Sequence, residues 1–361
     1  MIIYAGQFDG SKLARLLSIK PFLFFGNISY SLYLWHWPLI EIYHYRFPGD
    51  YSPSSQITLF ALSILFGYLS FLLIEKPARK IPLNNKIFAY AAIATMIALL
   101  SGYYLYKTNL INHYPKPAQK IASYLDYGHQ GHNRQGVCFL TSGNKSANDF
   151  DHKTCLNLRP DKKNYLLIGD SHAAHFYDAL RDIETDANIL QANASGCKPV
   201  IDAKGENRCT LLMDFMFNDF IPANKLDGIL LSARWRKEDA RAVTDTLVYL
   251  RKFTNQIIVS GPIIEYKAPL PRLLFFNVTG KNISFADFSK EKEISEADAA
   301  LKAATANTGA NYFSVLNSFC DAGECKVLTK SGTPMQFDYG HLTYEGAYEV
   351  LQSMQDQGGL K

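Results

Sequence analysis

Charge is scarce in this sequence. Asp, Glu, Lys and Arg make up 19% of 361 residues, below the roughly 25% of ordinary soluble chains. The net charge of +4 is too small a surplus for the basic footprint of a nucleic-acid binder, so no nucleic-acid partner is expected. Six cysteines in this length fall far short of the density of a small disulfide-stapled toxin. No internal repeat or low-complexity tract is present. Hydrophobic residues at 48% with little net charge exclude intrinsic disorder. CxxC and His/Cys ligand spacings are missing, so no metal site is expected. The Gly-x-Ser-x-Gly elbow of α/β-hydrolases is missing as well. No h-region with a cleavage pattern marks a signal peptide, and a membrane helix is expected to target the chain instead.

What is present is unevenly divided. The length suggests about two domains at roughly 100–200 residues each, and a mean hydropathy near zero averages two unlike parts. Within residues 1–106, Ile57–Ile74 and Ile87–Tyr106 hold no charge, and each is close to the roughly 20 residues that cross about 30 Å of hydrocarbon. Pro21–Tyr43 is less pure, with Asn27, His36 and Glu41 inside it; polar groups at membrane depth should face protein or a water-filled cavity. Three spans are therefore expected, at about 21–43, 57–74 and 87–106, with a buried core helix as the alternative for each. Lys12, Arg15 and Lys20 precede the first span, and Lys76, Arg79, Lys80 and Lys86 fill the loop between the second and third. The positive-inside rule puts both on the cytoplasmic side and everything after Tyr106 outside. All six cysteines, Cys138, Cys155, Cys197, Cys209, Cys320 and Cys325, lie beyond the last span. An even number on the predicted outer side reads as disulfides in an oxidising compartment. Of the 15 possible connectivities, sequential pairing is favoured, with free buried thiols or a metal site as the alternative.

Residues 107–163 are rich in Asn, His, Lys and Tyr with weak periodicity, and read as a linker and irregular extension. From 164 to 361, short apolar runs (Tyr165–Ile168, Ile189–Ala192, Gly228–Ser232, Gln256–Ser260, Tyr312–Leu316) alternate with helical patterns (His172–Ile183, Glu238–Phe253, Ile294–Ala304, Tyr344–Gln355). That alternation predicts an α/β domain with a parallel sheet covered on both faces, and ligands at the carboxyl ends of its strands.

Two loops carry the chemistry. Gly169-Asp170-Ser171-His172 follows the first strand, where glycine permits a tight turn and the Ser171 N–H can face a developing oxyanion; helix N-capping is the alternative. Asp338-Tyr339-Gly340-His341 can present a carboxylate that orients an imidazole, whose other nitrogen takes a serine proton. Serine needs such a base to act as a nucleophile; an incidental surface histidine is the alternative. His172 and His175 lie three apart but lack an evident third ligand. Trp235 offers either a sugar-stacking face or a packed core ring.

Gly-Asp-Ser with a distant Asp-x-x-His resembles the SGNH (GDSL-like) hydrolases. The resemblance implies a flavodoxin-like three-layer α/β/α domain, with Ser171 as nucleophile, His341 as base and Asp338 as orienting acid. It also implies Gly196 in the oxyanion hole. The family's oxyanion Asn is missing, and Arg234 or Trp235 stands where it is expected. Asn27 to His36 and Glu75-Lys76-Pro77-Ala78-Arg79 resemble the closing helices of the acyltransferase-3 membrane family, some members of which carry a periplasmic SGNH domain. That likeness implies an O-acyltransferase, usually an O-acetyltransferase, acting on a bacterial surface polysaccharide such as lipopolysaccharide O-antigen. It implies an inner-membrane, multi-pass location with a periplasmic C-terminal domain among membrane lipids. No bound cofactor is implied, and acetyl-CoA is the ultimate acyl donor. The family's membrane domain has more spans than this chain holds, so the sequence resembles its C-terminal part, by truncation, a split gene or an annotation error, with Ile2–Gly6 as the tail of a further helix; a separate polypeptide that supplies the missing spans is the partner a split gene implies. A periplasmic carbohydrate esterase, with water as acceptor, and an inactive membrane-anchored relic are the alternative functions.

Overall fold

The computed structural model describes residues 17–47, 50–81, 85–108, 110–143, 146–321 and 324–359; the expected helix tail at Ile2–Gly6 and the basic residues Lys12 and Arg15 lie outside them. The chain divides after Leu110 into two units.

Among the described residues the first unit contains three long helices: α1 (Lys20–Arg46), α2 (Pro53–Ser70), which continues through a π-turn at Phe71–Glu75 into Lys76–Ala78, and α3 (Asn85–Thr108). Proline opens α2, where its missing N–H costs nothing, and the Ser52 side chain accepts a bond from the Ser55 N–H as its cap. Gly67 lets α1 come close: a Cβ there would lie 3.0 Å from the Leu32 Cα, the kind of small-residue contact that joins helices in lipid. Ser31 Oγ donates to Glu75 Oε2 at 2.7 Å, and Glu75 pairs with Arg79, so the two acyltransferase-like stretches meet. Pro53–Ala78 and Lys86–Thr108 are long and apolar enough to cross a membrane. The first expected span forms a helix but does not reach that standard, because Asn27, His36, Glu41 and its many Trp and Tyr rings dilute the aliphatic content.

The second unit is built on six parallel strands: β1 (Phe139–Leu140), β2 (Lys163–Gly169), β3 (Ala187–Ala194), β4 (Gly228–Ser232), β5 (Ile257–Ser260) and β6 (Asn311–Phe313), in the order β1-β3-β2-β4-β5-β6. Without β1 this is the 2-1-3-4-5 order of the flavodoxin-like fold, whose switch point falls between its first and third strands, here β2 and β4. Successive strand residues point to opposite faces. Leu167, Ile189, Leu230 and Ile258 enter one core, and Leu166, Leu190, Ile229 and Val259 enter the other. Both faces are therefore buried, as a parallel sheet requires, which explains runs such as Gly228–Ser232 with no polar alternation. The expected α/β sheet is present. Of the stretch 107–163, expected as a linker and extension, residues 111–163 belong to the second unit, and its β1 pairs with β3 at Asn193 and Ala194.

The cysteines pair sequentially as Cys138–Cys155, Cys197–Cys209 and Cys320–Cys325. They close sequence separations of 17, 12 and 5 residues, flanking β1, the loop after β3, and a small hairpin.

Gly169, at the carboxyl end of β2, has φ +150°, and a Cβ there would come within 1.8 Å of the Ser232 carbonyl oxygen on β4. Gly169→Ala should therefore destabilise the second unit by about 3 kcal/mol, since the obstacle is backbone and cannot rotate away. Thermal unfolding followed by near-UV circular dichroism checks this; a midpoint equal to the parent's would contradict it.

Candidate active site

Asp170 ends the turn after β2 and caps α4 (Ser171–Ala174). Its carboxylate accepts bonds from the His172 N–H at 2.8 Å and the Arg234 N–H at 2.9 Å. One carboxylate thus ties the loop after β2 to the loop after β4 at the switch point. Asp170 is buried, and loss of solvation pushes its carboxyl up from its ordinary value.

Ser171 begins that short helix at the sheet's carboxyl edge. The opposing loop is shaped by Asp338, whose Oδ1 accepts from the N–H groups of Gly340 at 2.8 Å and His341 at 2.7 Å. A strap from the far side of β5 fixes this loop: the Tyr266 N–H bonds the Tyr339 carbonyl, the Leu270 N–H bonds the Asp338 carbonyl, and Gln336 Nε2 bonds the Ile264 carbonyl. Thr343 then caps α8 (Tyr344–Asp356) by accepting from the Gly346 N–H. Between them, α5 (Tyr177–Ile183), α6 (Ala240–Leu250) and α7 (Glu291–Thr305) cover the sheet.

The two loops bring the expected three residues into one row. His341 Nδ1 lies 2.7 Å from Asp338 Oδ2, and its Nε2 lies 2.9 Å from Ser171 Oγ. A carboxylate can only accept, so the proton sits on Nδ1, and Nε2 is left to accept from the serine hydroxyl. Burial pushes the Asp338 carboxyl up, but the hydrogen bond and charge of His341 and the two N–H donors outweigh it and bring the group below its ordinary value. It stays ionised and able to orient the ring.

Ser171, Asp338 and His341 open onto a cavity of about 230 Å3. Part of its wall comes from the stretch before β1: Tyr127, and His129, His132 and Asn133 on and just after a single helical turn. Asp178 and His175 complete the side nearest α5. The sequence reading weighed His175 only as a metal ligand beside His172 and missed the others. The one available signal was the density of histidine and tyrosine in a stretch without periodicity.

The expected oxyanion residues separate. Gly196 has a left-handed φ of +69° next to Ser195, which lines the cavity. Trp235 is fully buried and donates its Nε1–H to the Ser260 carbonyl at 2.9 Å; it is a core ring with neither a free N–H nor a sugar-stacking face. Arg234 is also committed. Its Nε and Nη2 each lie 2.6 Å from the Glu265 carboxylate, and its N–H is held by Asp170. Glu265 is 1% exposed and also receives Arg236 and Lys290. Desolvation opposes its charge, but the Arg234 bonds and neighbouring cations hold its carboxyl at about 2. Neither Arg234 nor Trp235 lines the cavity. Among the described residues no group of three or more His, Cys, Asp or Glu side chains could hold a metal ion; His172 and His175 stand 5.7 Å apart by ring centroids without a third ligand.

A hydrogen-bonded Ser–His–Asp row at the switch point of a flavodoxin-ordered sheet is the arrangement expected of an SGNH domain. The chain belongs to the SGNH domain family that is fused to AT3 domains, whose profile matches residues 137–355. The O-acetyltransferase OatA of Staphylococcus aureus (strain NCTC 8325 / PS 47) is 39% identical over 85 residues, 22% of this chain and 13% of that protein. The chain therefore spans a small part of the curated relatives it matches. The periplasmic domain of the lipopolysaccharide acetyltransferase of Salmonella ser. Paratyphi A superposes with a TM-score of 0.53 at 21% identity, over 66% of this chain and 96% of that one, a likeness of fold.

His172 and His175 are buried, and desolvation followed by the nearby His341 charge pushes both rings well below 6.5. Above pH 6.5 both folded and unfolded rings are neutral; below it the unfolded chain takes up protons that the folded one refuses. Stability should fall as pH drops below about 6.5, by about 1.4 kcal/mol per pH unit for each ring. A thermal midpoint as high at pH 5.5 as at pH 7.5 would contradict this.

Proposed function

We propose that the second unit transfers an acyl group, most simply acetyl, to a hydroxyl of a bacterial cell-surface polysaccharide such as lipopolysaccharide O-antigen, through an acyl-enzyme on Ser171. The observation that carries this reading is the Ser171–His341–Asp338 row, at 2.9 and 2.7 Å, opening onto a cavity. His341 Nε2 takes the Ser171 proton as Oγ attacks the donor's acyl carbon, and the protonated ring returns it to the leaving group. In the second half the acceptor hydroxyl attacks the acyl carbon, its proton passes to Nε2, and the C–Oγ bond breaks as Ser171 regains a proton. Asp338 keeps the ring in the required tautomer. The N–H groups of Ser171 and Gly196 hold the oxyanion, because Arg234 and Trp235 are engaged elsewhere.

The domain plan that goes with this reading is a membrane part over 1–106 with three spans, the aromatic α1 facing protein more than lipid, and a catalytic part on the periplasmic side of the inner membrane. The three disulfides, all in the second unit, support the oxidising side. Acetyl-CoA is the ultimate donor, reached through acyltransferase spans of the kind that the family carries beside its SGNH domain.

In the full chain in detergent, Ser171→Ala should lower turnover of an activated acetyl ester by at least about 1000-fold, and undiminished turnover would overturn the nucleophile. Adding a saccharide to the parent protein should yield acetylated sugar; free acetate as the sole product would identify a carbohydrate esterase instead.

A further inference from the structure

Outside the Ser171 row, the cavity contains a second imidazole–carboxylate pair. His132 Nδ1 lies 2.8 Å from Asp178 Oδ2, and Asp178 is also held by Arg181 at 3.1 Å. The carboxylate accepts a hydrogen bond from the Nδ1–H, so in the neutral ring His132 Nε2, which makes no hydrogen bond among the described residues, presents a lone pair. The His132 ring lies nearly parallel to Tyr127, at 5.8 Å and 9°, and Tyr127 stacks on Phe337 at 5.2 Å. The pair is therefore fixed by packing as well as by its bond.

Two neighbours in the same wall are polar, buried and unsatisfied. Asn133 is 7% exposed and its Oδ1 has no partner; His175 is 8% exposed and neither ring nitrogen has one. A buried polar atom left unpaired costs about 1–3 kcal/mol, so unpaired atoms on residues that line a cavity point to a ligand that pairs with them. His132 Nε2 and Asn133 Oδ1 accept hydrogen bonds, and a neutral His175 accepts at one nitrogen and donates at the other. That set matches hydroxyl groups, each of which donates and accepts, while the Tyr127 and Phe337 rings offer an apolar side.

Charge narrows the ligand further. The cavity is lined by the Asp178 and Asp338 carboxylates and by no Lys or Arg. The nearby cations are engaged outside it, Arg181 on Asp178 and Asp182, and Arg134 over the Tyr177 ring and on the Thr154 carbonyl. An anionic ring would meet carboxylates in the cavity wall and no lining cation to pair with.

We infer that His132, held by Asp178, together with Asn133 and His175, forms the subsite that binds the acceptor as a neutral, polyhydroxylated sugar ring and excludes acidic sugars. This rests on the proposed acyl transfer and adds which ring the site receives. His132 is a positioning residue in it, acting on a hydroxyl other than the one that attacks.

The test uses the full chain in detergent with an activated acetyl ester as donor. The acceptors are the methyl glycosides of glucose, galactose and mannose and the three matching uronates, and the ratio of acetylated sugar to free acetate is measured by mass spectrometry. At least one neutral glycoside should give a ratio about tenfold or more above its uronate, and His132→Gln and Asp178→Asn should each lower that ratio about tenfold. Uronates that accept equally well, or a ratio within twofold of the parent's in both variants, would overturn the subsite. Binding of the same glycosides to the Ser171→Ala chain, read by saturation-transfer NMR, separates this failure from failure of the acyl-enzyme. If no acylation occurs, binding of a neutral glycoside that His132→Gln abolishes still supports the subsite. Absence of neutral binding, or binding that survives both variants, overturns it.

Discussion

The Asp170 carboxylate joins two loops that the chain separates by more than sixty residues, and the active geometry depends on that join. Its bonds to the His172 and Arg234 N–H groups fix where the helix bearing Ser171 starts. They work only because Gly169 lets β2 run close against the Ser232 carbonyl before the turn. The same bonds hold Arg234, whose guanidinium lies 5.2 Å over the Tyr339 ring and reaches Glu265 in the strap under the histidine loop. Nucleophile and base thus share one connected polar frame, although their elements lie at opposite ends of the domain.

The parts legible in the sequence were those written in local pattern. The apolar runs of β2, β4 and β5 are short, rich in Leu, Ile and Val, and free of alternation, which is what burial on both faces leaves behind. Gly-Asp-Ser and Asp-x-x-His stood out because the spacing itself bears the chemistry. The helix expected over His172–Ile183 is interrupted near His175 and Phe176, a break that no proline or glycine announces.

Other parts were hidden because they are set by tertiary partners. Trp235 and Arg234 occupy the place of the oxyanion Asn in sequence, but burial and Glu265 take them out of the site, and Glu265 itself is an unremarkable residue in a loop. The wall around His132 comes from a stretch whose order derives from β1 pairing and the Cys138–Cys155 link, not from its own periodicity. The first helix of the first unit was expected as a span and is a helix, yet aromatic and polar side chains set it apart from the two more apolar ones.

The short strand β1 has one more effect. The N–H groups of Asn193 and Ser195 are taken by the Cys138 and Leu140 carbonyls. The main-chain edge beside the cavity is therefore already spoken for, and an extended polypeptide cannot dock there by adding a strand.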